Sequence, residues 1–326
     1  MSQPARKIAG AVASGCSIIL KAAEETPAGA MAIAQAFADV GLPPGVLNLV
    51  SGVPDDISNA LIPRPEVRLV AFTGSTRVGR HLTGIASDHM TPVLMELGGH
   101  APVLVCEDTG VEAAALSSAV RKMRNAGQVC TSPTRFFVHR DVYNQFLDVF
   151  TRRCTDTVVG DGFETGVEMG PLANDRLIAA MERMVSNAVD AGAELMTGGS
   201  RIGDTGYFFE PTVLANVPDD ASVMNEEPFG PLAIVNPVDS LDHAIERANS
   251  VPYGLAAYGF TNRADYADKM VDFVEAGNLS INTLEASLPE TPFGGVKWSG
   301  YGREGGVEGL TNYTVVKNVS HSLKIV

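Results

Sequence analysis

Short apolar runs alternate along this chain with longer segments of helical periodicity. Runs at 16–20, 46–50 and 67–72 read as strands, with helices expected over 28–39 and 56–61 between them. Thr26 supplies a candidate N-cap and Pro27 a first-turn proline; Gly41 and the Pro43-Pro44 pair stop the first helix. Further on, strands are expected at 102–106, 135–138, 208–217, 232–235, 256–260 and 278–282. Helices fall at 111–124, 142–154, 176–191, 241–248 and 264–274. Strand and helix in alternation predict a parallel sheet covered by helices, an α/β protein. The tail 314–326 alternates polar and apolar residues, a pattern suited to pairing with the sheet edge of another chain.

Composition narrows the picture. A chain of 326 residues holds one large domain or two ordinary ones, and 45% hydrophobic content with 33 glycines suits a compact fold. A net charge of −14 and no basic block argue against nucleic acid as a partner. No run reaches the length of a membrane span, and the N-terminus lacks the pattern of a signal peptide. Cys16, Cys106, Cys130 and Cys154 are scattered without a CxxC pair, which fits a reducing, cytoplasmic setting. Cys16, Cys106 and Cys154 read as packing residues. The six histidines lack ligand spacing, so no metal site is expected.

Several segments can carry chemistry. Cys130 follows Gly127-Gln128-Val129 in small, polar surroundings that suit a nucleophile. Glu96 stands just ahead of Gly98-Gly99, as a base on a flexible turn would. On spacing alone a core cysteine and a surface glutamate are the more ordinary reading. Gly74-Ser75-Thr76-Arg77-Val78-Gly79 closes a strand and opens a helix, where backbone N–H groups favour phosphate. Lys21 and Glu24 lie at the carboxyl end of the first strand, an edge that takes ligands in parallel sheets. Glu227-Pro228-Phe229-Gly230-Pro231 and Pro292-Phe293-Gly294-Gly295 are constrained turns, each also explicable as structure alone.

Taken in order, these segments resemble the aldehyde dehydrogenase superfamily, in particular its succinate-semialdehyde branch. The resemblance implies a parallel-sheet cofactor domain, incomplete here, plus an α/β catalytic domain. It divides the chain into 1–97 (cofactor binding), 98–305 (thiol domain) and a 306–326 tail for oligomerisation. Cys130 would attack an aldehyde to give a thiohemiacetal, then a thioester, and Glu96 would activate the hydrolytic water. Lys21 and Glu24 would bind the adenosine ribose, Gly74 and Ser75 the pyrophosphate, Glu227 the nicotinamide ribose, and Phe229 the nicotinamide end. Glu24 favours NAD, with NADP as the alternative. Arg124 and Ser287 match positions that hold the carboxylate of a semialdehyde; a helix-end arginine paired with a surface acid is the other reading.

The resemblance starts inside the family pattern. The upstream Trp-Asn-Phe/Tyr-Pro turn, source of a second oxyanion donor, is not in this sequence. The full-length form would be a homo-oligomer acting on a small aldehyde. A non-catalytic remnant and an NAD-independent thiol esterase are the competing functions.

Overall fold

A computed structural model describes residues 2–323. The chain opens with helix α1 (Ser2–Ala13), then β1 (Ile18–Lys21), α2 (Pro27–Asp39), β2 (Leu47–Val50), α3 (Pro54–Leu61), β3 (Val70–Thr73), α4 (Thr76–Ser87) and β4 (Val93–Glu96). Next come β5 (Ala101–Val105), α5 (Val111–Met123), β6 (Pro133–His139), α6 (Arg140–Thr155), α7 (Asp175–Asp190), β7 (Glu194–Thr197) and β8 (Thr212–Ala215). The remainder holds α8 (Ser222–Asn225), β9 (Leu232–Val238), α9 (Leu241–Asn249), β10 (Tyr253–Gly254), β11 (Ala256–Phe260), α10 (Ala264–Phe273), β12 (Asn278–Ile281), β13 (Val296–Lys297), β14 (Gly300–Tyr301) and α11 (Glu308–Thr311).

The large sheet has seven strands in the order β12-β11-β5-β6-β9-β8-β7, all parallel except the edge strand β7. Central strands β5 and β6 are apolar on both faces because helices cover both, as parallel sheets require. Phe136 of β6 packs with tilted rings against Phe146 and Phe150 of α6, the ring centroids of Phe136 and Phe150 4.8 Å apart. Two smaller sheets sit N-terminally: β1 with β2 in parallel, and β14-β4-β3. Each has its own small core, Ile8, Leu20 and Ala30 in one case, Leu82, Met95 and Leu97 in the other.

Some expectations shift. The N-terminal segment, given no element from the sequence, is the amphipathic helix α1, which buries Lys7, Ile8 and Ala11. The first strand begins two residues later than expected, at Ile18, and Cys16 is half-buried instead of enclosed. Thr26 makes no side-chain cap; Pro27 alone sets the start of α2. β14 falls within 98–305 yet pairs antiparallel with β4, so this stretch returns to the first sheet system. The tail from 314 to 323 forms no strand, and Val315, Val316, Val319 and Leu323 are exposed; residues 324–326 of the expected pairing segment lie outside the described residues. Among the described residues no helix is long and apolar enough to cross a membrane.

Candidate active site

Glu96 ends β4 between two paired strands, opposite Thr73 of β3 and Gly300 of β14. It is therefore not on a flexible turn; it is 3% exposed on a fixed strand end. Neither carboxyl oxygen has a hydrogen-bond partner among the described residues. Burial, and next the neighbouring Glu304, push its pKa up to about 8, against the smaller pull of Lys7, Arg303 and Arg6. Lys7 Nζ donates to Glu304 Oε1 at 2.5 Å, so an ion pair adjoins the acid. Gly294 comes close as well: a Cβ there would lie 2.9 Å from Glu96 Oε1, so only glycine fits without displacing the carboxyl.

The chain then crosses from one sheet system to the other at Gly98-Gly99. Ser299, fully buried, fastens this crossing: its Oγ donates to Gly98 O at 2.7 Å and accepts from Gly254 N at 2.9 Å. Gly99 N–H donates to Glu227 Oε1 at 3.1 Å, and a Cβ on Gly98 would overlap that carboxylate. A Cβ on Gly99 would lie 3.0 Å from the carbonyl oxygen of Cys130. The two glycines thus bring Glu96, Glu227 and Cys130 to one place in the fold.

Cys130 sits on a tightly wound segment after α5. Asn125, Ala126 and Gly127 have φ of 55°, 51° and 69°, a left-handed run that reverses the chain ahead of the thiol. Gln128 holds the turn through Asn125 O, Pro171 O and the N–H of Ala173. Behind the thiol, Tyr258 of β11 donates its hydroxyl to Thr131 O at 2.6 Å. The thiol is half-buried. Burial, then Glu227, then Glu96 raise its pKa to about 11. No cation is among the groups that lower it; only the backbone at Cys130 and Thr131 pulls the other way.

Glu227 follows α8, with its loop turned back by Phe229 N–H to Glu227 O and Gly230 N–H to Pro228 O. Burial raises its carboxyl to about 7 in spite of the Gly99 N–H and Lys122. Phe229 is half-buried on the same loop. On the N-terminal side, Lys21 forms an ion pair with Glu24, which holds Glu24 below the usual carboxylate range. Gly74 and Ser75 form the β3–α4 turn, and Ser75 Oγ caps α4 by accepting from Val78 N–H at 3.4 Å.

The two candidate substrate residues are not brought together. Ser287 accepts a hydrogen bond from the guanidinium of Arg6, which also stacks over Phe293 with Cζ 5.0 Å from the ring centre. Arg124 is exposed at the end of α5, its guanidinium without a partner among the described residues. Arg6, Lys7, Ser299 and Tyr258 escaped the sequence reading. Lys7 had a signal in its spacing to Ile8 and Ala11 on one helical face; the others depend on long-range contacts. Cys106, Glu107 and Asp108 bring candidate metal-ligand atoms within 4.8 Å of one another. Asp108 already accepts from Thr261 and Asn262, and Glu107 from Tyr266, so the group ties β5 to the end of β11 and the start of α10.

Fold and site define an α/β protein with a thiol and a buried carboxyl joined through a glycine crossing. Residues 1–319 match the aldehyde dehydrogenase family, and the chain belongs to that family. It is 48% identical over 313 residues to a putative 4-(hydroxymethyl)benzenesulfonate dehydrogenase of Comamonas testosteroni, covering 96% of this chain and 65% of that protein. It is 44% identical over 319 residues to a probable succinate-semialdehyde dehydrogenase [NADP(+)] of Sinorhizobium fredii, covering 97% of this chain and 65% of the other. The crystal structure of succinate-semialdehyde dehydrogenase from Burkholderia pseudomallei superposes with a TM-score of 0.94 at 41% identity, over 96% of this chain and 65% of that one. The chain thus spans about 65% of the length of these relatives.

Proposed function

We propose that this chain carries the thiol half of an NAD(P)-dependent aldehyde dehydrogenase that turns an aldehyde with a second, anionic group into the carboxylic acid. The observation that carries this reading is the carboxyl of Glu96, buried without a hydrogen-bond partner, at the crossing that also bears Glu227 and Cys130. A carboxyl titrating near 8 is a general base matched to neutral pH.

Cys130 Sγ, as thiolate, adds to the aldehyde carbon, and its backbone N–H donates to the developing oxyanion. When bound, the dinucleotide supplies the hydride acceptor that the oxidation requires. Glu96 then takes a proton from a water molecule as that water attacks the acyl carbon of the Cys130 thioester. Sγ leaves as thiolate, and the acid is released. The Lys7–Glu304 pair beside Glu96 gives the accepted proton a polar neighbour instead of an apolar wall.

Several of the chain's own residues would serve the dinucleotide. Glu227 stands at the crossing beside Cys130, where it can meet the nicotinamide ribose, with Phe229 beyond it. The β3–α4 turn at Gly74 and Ser75 offers a helix start to the pyrophosphate. The Lys21–Glu24 pair, at and just past the end of β1, would take the adenosine ribose. Glu24 favours NAD, because a 2′-phosphate would be repelled by its carboxylate. Ser287 with Arg6 would take the substrate's anionic group, as a carboxylate in a semialdehyde; Arg124, exposed and apart from them, is the alternative holder of that group.

The test is reduction of NAD and of NADP by the purified chain with succinate semialdehyde and with a neutral aldehyde of similar length. Activity lost in Cys130→Ser supports the proposal. Hydrolysis of p-nitrophenyl acetate without hydride transfer would replace it with a thiol esterase, and neither activity would leave a non-catalytic remnant.

A further inference from the structure

Lys122 has no part in the chemistry above, yet it is closed off from solvent. It lies in the last turn of α5, and its Nζ donates one long bond, 3.4 Å, to Ser132 Oγ on the segment that carries Cys130. A Cβ placed on Gly127 would be 3.1 Å from that Nζ and would overlap the carbonyl oxygen of Gly230. The ammonium, the thiol segment and the loop that begins at Glu227 therefore meet at one point. An ammonium out of water with a single weak hydrogen bond is costly unless an opposite charge offsets it.

We propose that Lys122 is the internal counter-cation of Glu227, a positioning residue that favours the ionised form of this carboxylate across a gap wider than a direct ion pair. The charged and titratable groups around Glu227 are Lys122 from α5, Cys130 from the thiol segment, Tyr253 from β10 and Glu226 beside it. Of these only Lys122 is cationic. The groups that favour charge on Lys122 are Cys154 of α6 and Glu227. Lys7, Arg303 and Arg6 act on Glu96 instead, Lys7 from its ion pair with Glu304.

The partnership explains why a lysine occupies a position closed off from water. Even with these charges acting, burial brings Lys122 down to about 7 and Glu227 up to about 7, so the pair offsets only part of both effects. Through Glu227, Lys122 would set the pH range over which that residue can accept from ribose hydroxyls. This last step rests on the proposed role of Glu227.

The test is the titration of Glu227 in the full chain, followed by NMR of glutamate side-chain carboxyl ¹³C and assigned with Glu227→Gln. Lys122→Met should move the Glu227 midpoint upward by about one pH unit or more, the usual effect of losing a near opposite charge. Lys122→Gln, which keeps a polar group, should do the same and serves if the methionine variant does not fold. An unchanged midpoint would overturn the pairing, as would failure of both variants to fold, since the lysine would then be a requirement of the fold. Dinucleotide affinity unchanged in Glu227→Gln would remove the ribose role alone and leave the pairing intact.

Discussion

Gly99 donates its backbone N–H to Glu227 Oε1 at 3.1 Å, so the crossing that follows one buried acid holds a second one in place. A single peptide unit thereby couples the end of β4 to the loop after α8. Substitutions at either acid should be felt at Cys130, which both make harder to ionise.

Glu96→Gln removes the proposed base and should lower steady-state aldehyde oxidation by about 100-fold or more. Rapid-mixing measurement should retain a burst of reduced dinucleotide, because only deacylation needs the base. The same variant reports on stability. Below pH 4.5 Glu96 is protonated folded or unfolded; between 4.5 and about 8 the folded chain keeps a proton that the unfolded chain releases. The wild type should therefore lose stability relative to Glu96→Gln as pH rises through that window. Urea midpoints of both proteins at pH 5 and pH 8 check the sign; a constant gap would contradict it.

Glu227→Gln should make Cys130 easier to alkylate. Burial contributes most to the raised thiol pKa and remains in the variant, but the Glu227 charge comes next and is gone. Iodoacetamide should modify Cys130 a few-fold faster at pH 8, where Glu227 is ionised in the wild type. Cys106 and Cys154 are buried, so a Cys16→Ser background isolates the signal. A slower reaction in the variant would point to lost geometry in place of relieved repulsion.

Ser299→Ala should destabilise the chain by about 1–3 kcal/mol, since it leaves the carbonyl of Gly98 and the N–H of Gly254 buried without this partner. Urea unfolding measures the loss. Activity should fall as well, because the hydroxyl anchors the crossing between Glu96 and Cys130; a stability loss with unchanged kcat would confine Ser299 to the fold.

Arg6→Leu should raise KM for succinate semialdehyde far more than for a neutral aldehyde of the same length, with kcat little changed. Arg124→Leu should act in the same direction but less, because Arg124 is exposed and unpaired while Arg6 is already bonded to Ser287. Steady-state kinetics on both substrates decide the matter. Equal effects on the two aldehydes would remove the anion-binding role.

Much of the sheet was legible from the chain because parallel strands buried on both faces leave continuous apolar runs. The runs at 102–106, 135–138 and 256–260 fall within about two residues of β5, β6 and β11. Short elements without such a signal escaped: β4 lies in a run whose charged end looks like a turn, and β14 has two residues made strand only by β4. The amphipathic α1 was hidden by its proline and charges, and its buried lysine becomes intelligible only beside Glu304.

By itself the sequence determined the family, the order of strand and helix, and the identity of a thiol and two acids with their glycines, since these are properties of local residue type and spacing. Only the tertiary structure decided that Glu96 ends a strand, that Gly98-Gly99 has no room for side chains, and that Ser287 belongs with Arg6. It also decided which cation serves which acid. Those facts depend on which surfaces meet across hundreds of residues, and burial there sets proton affinities that no local pattern encodes.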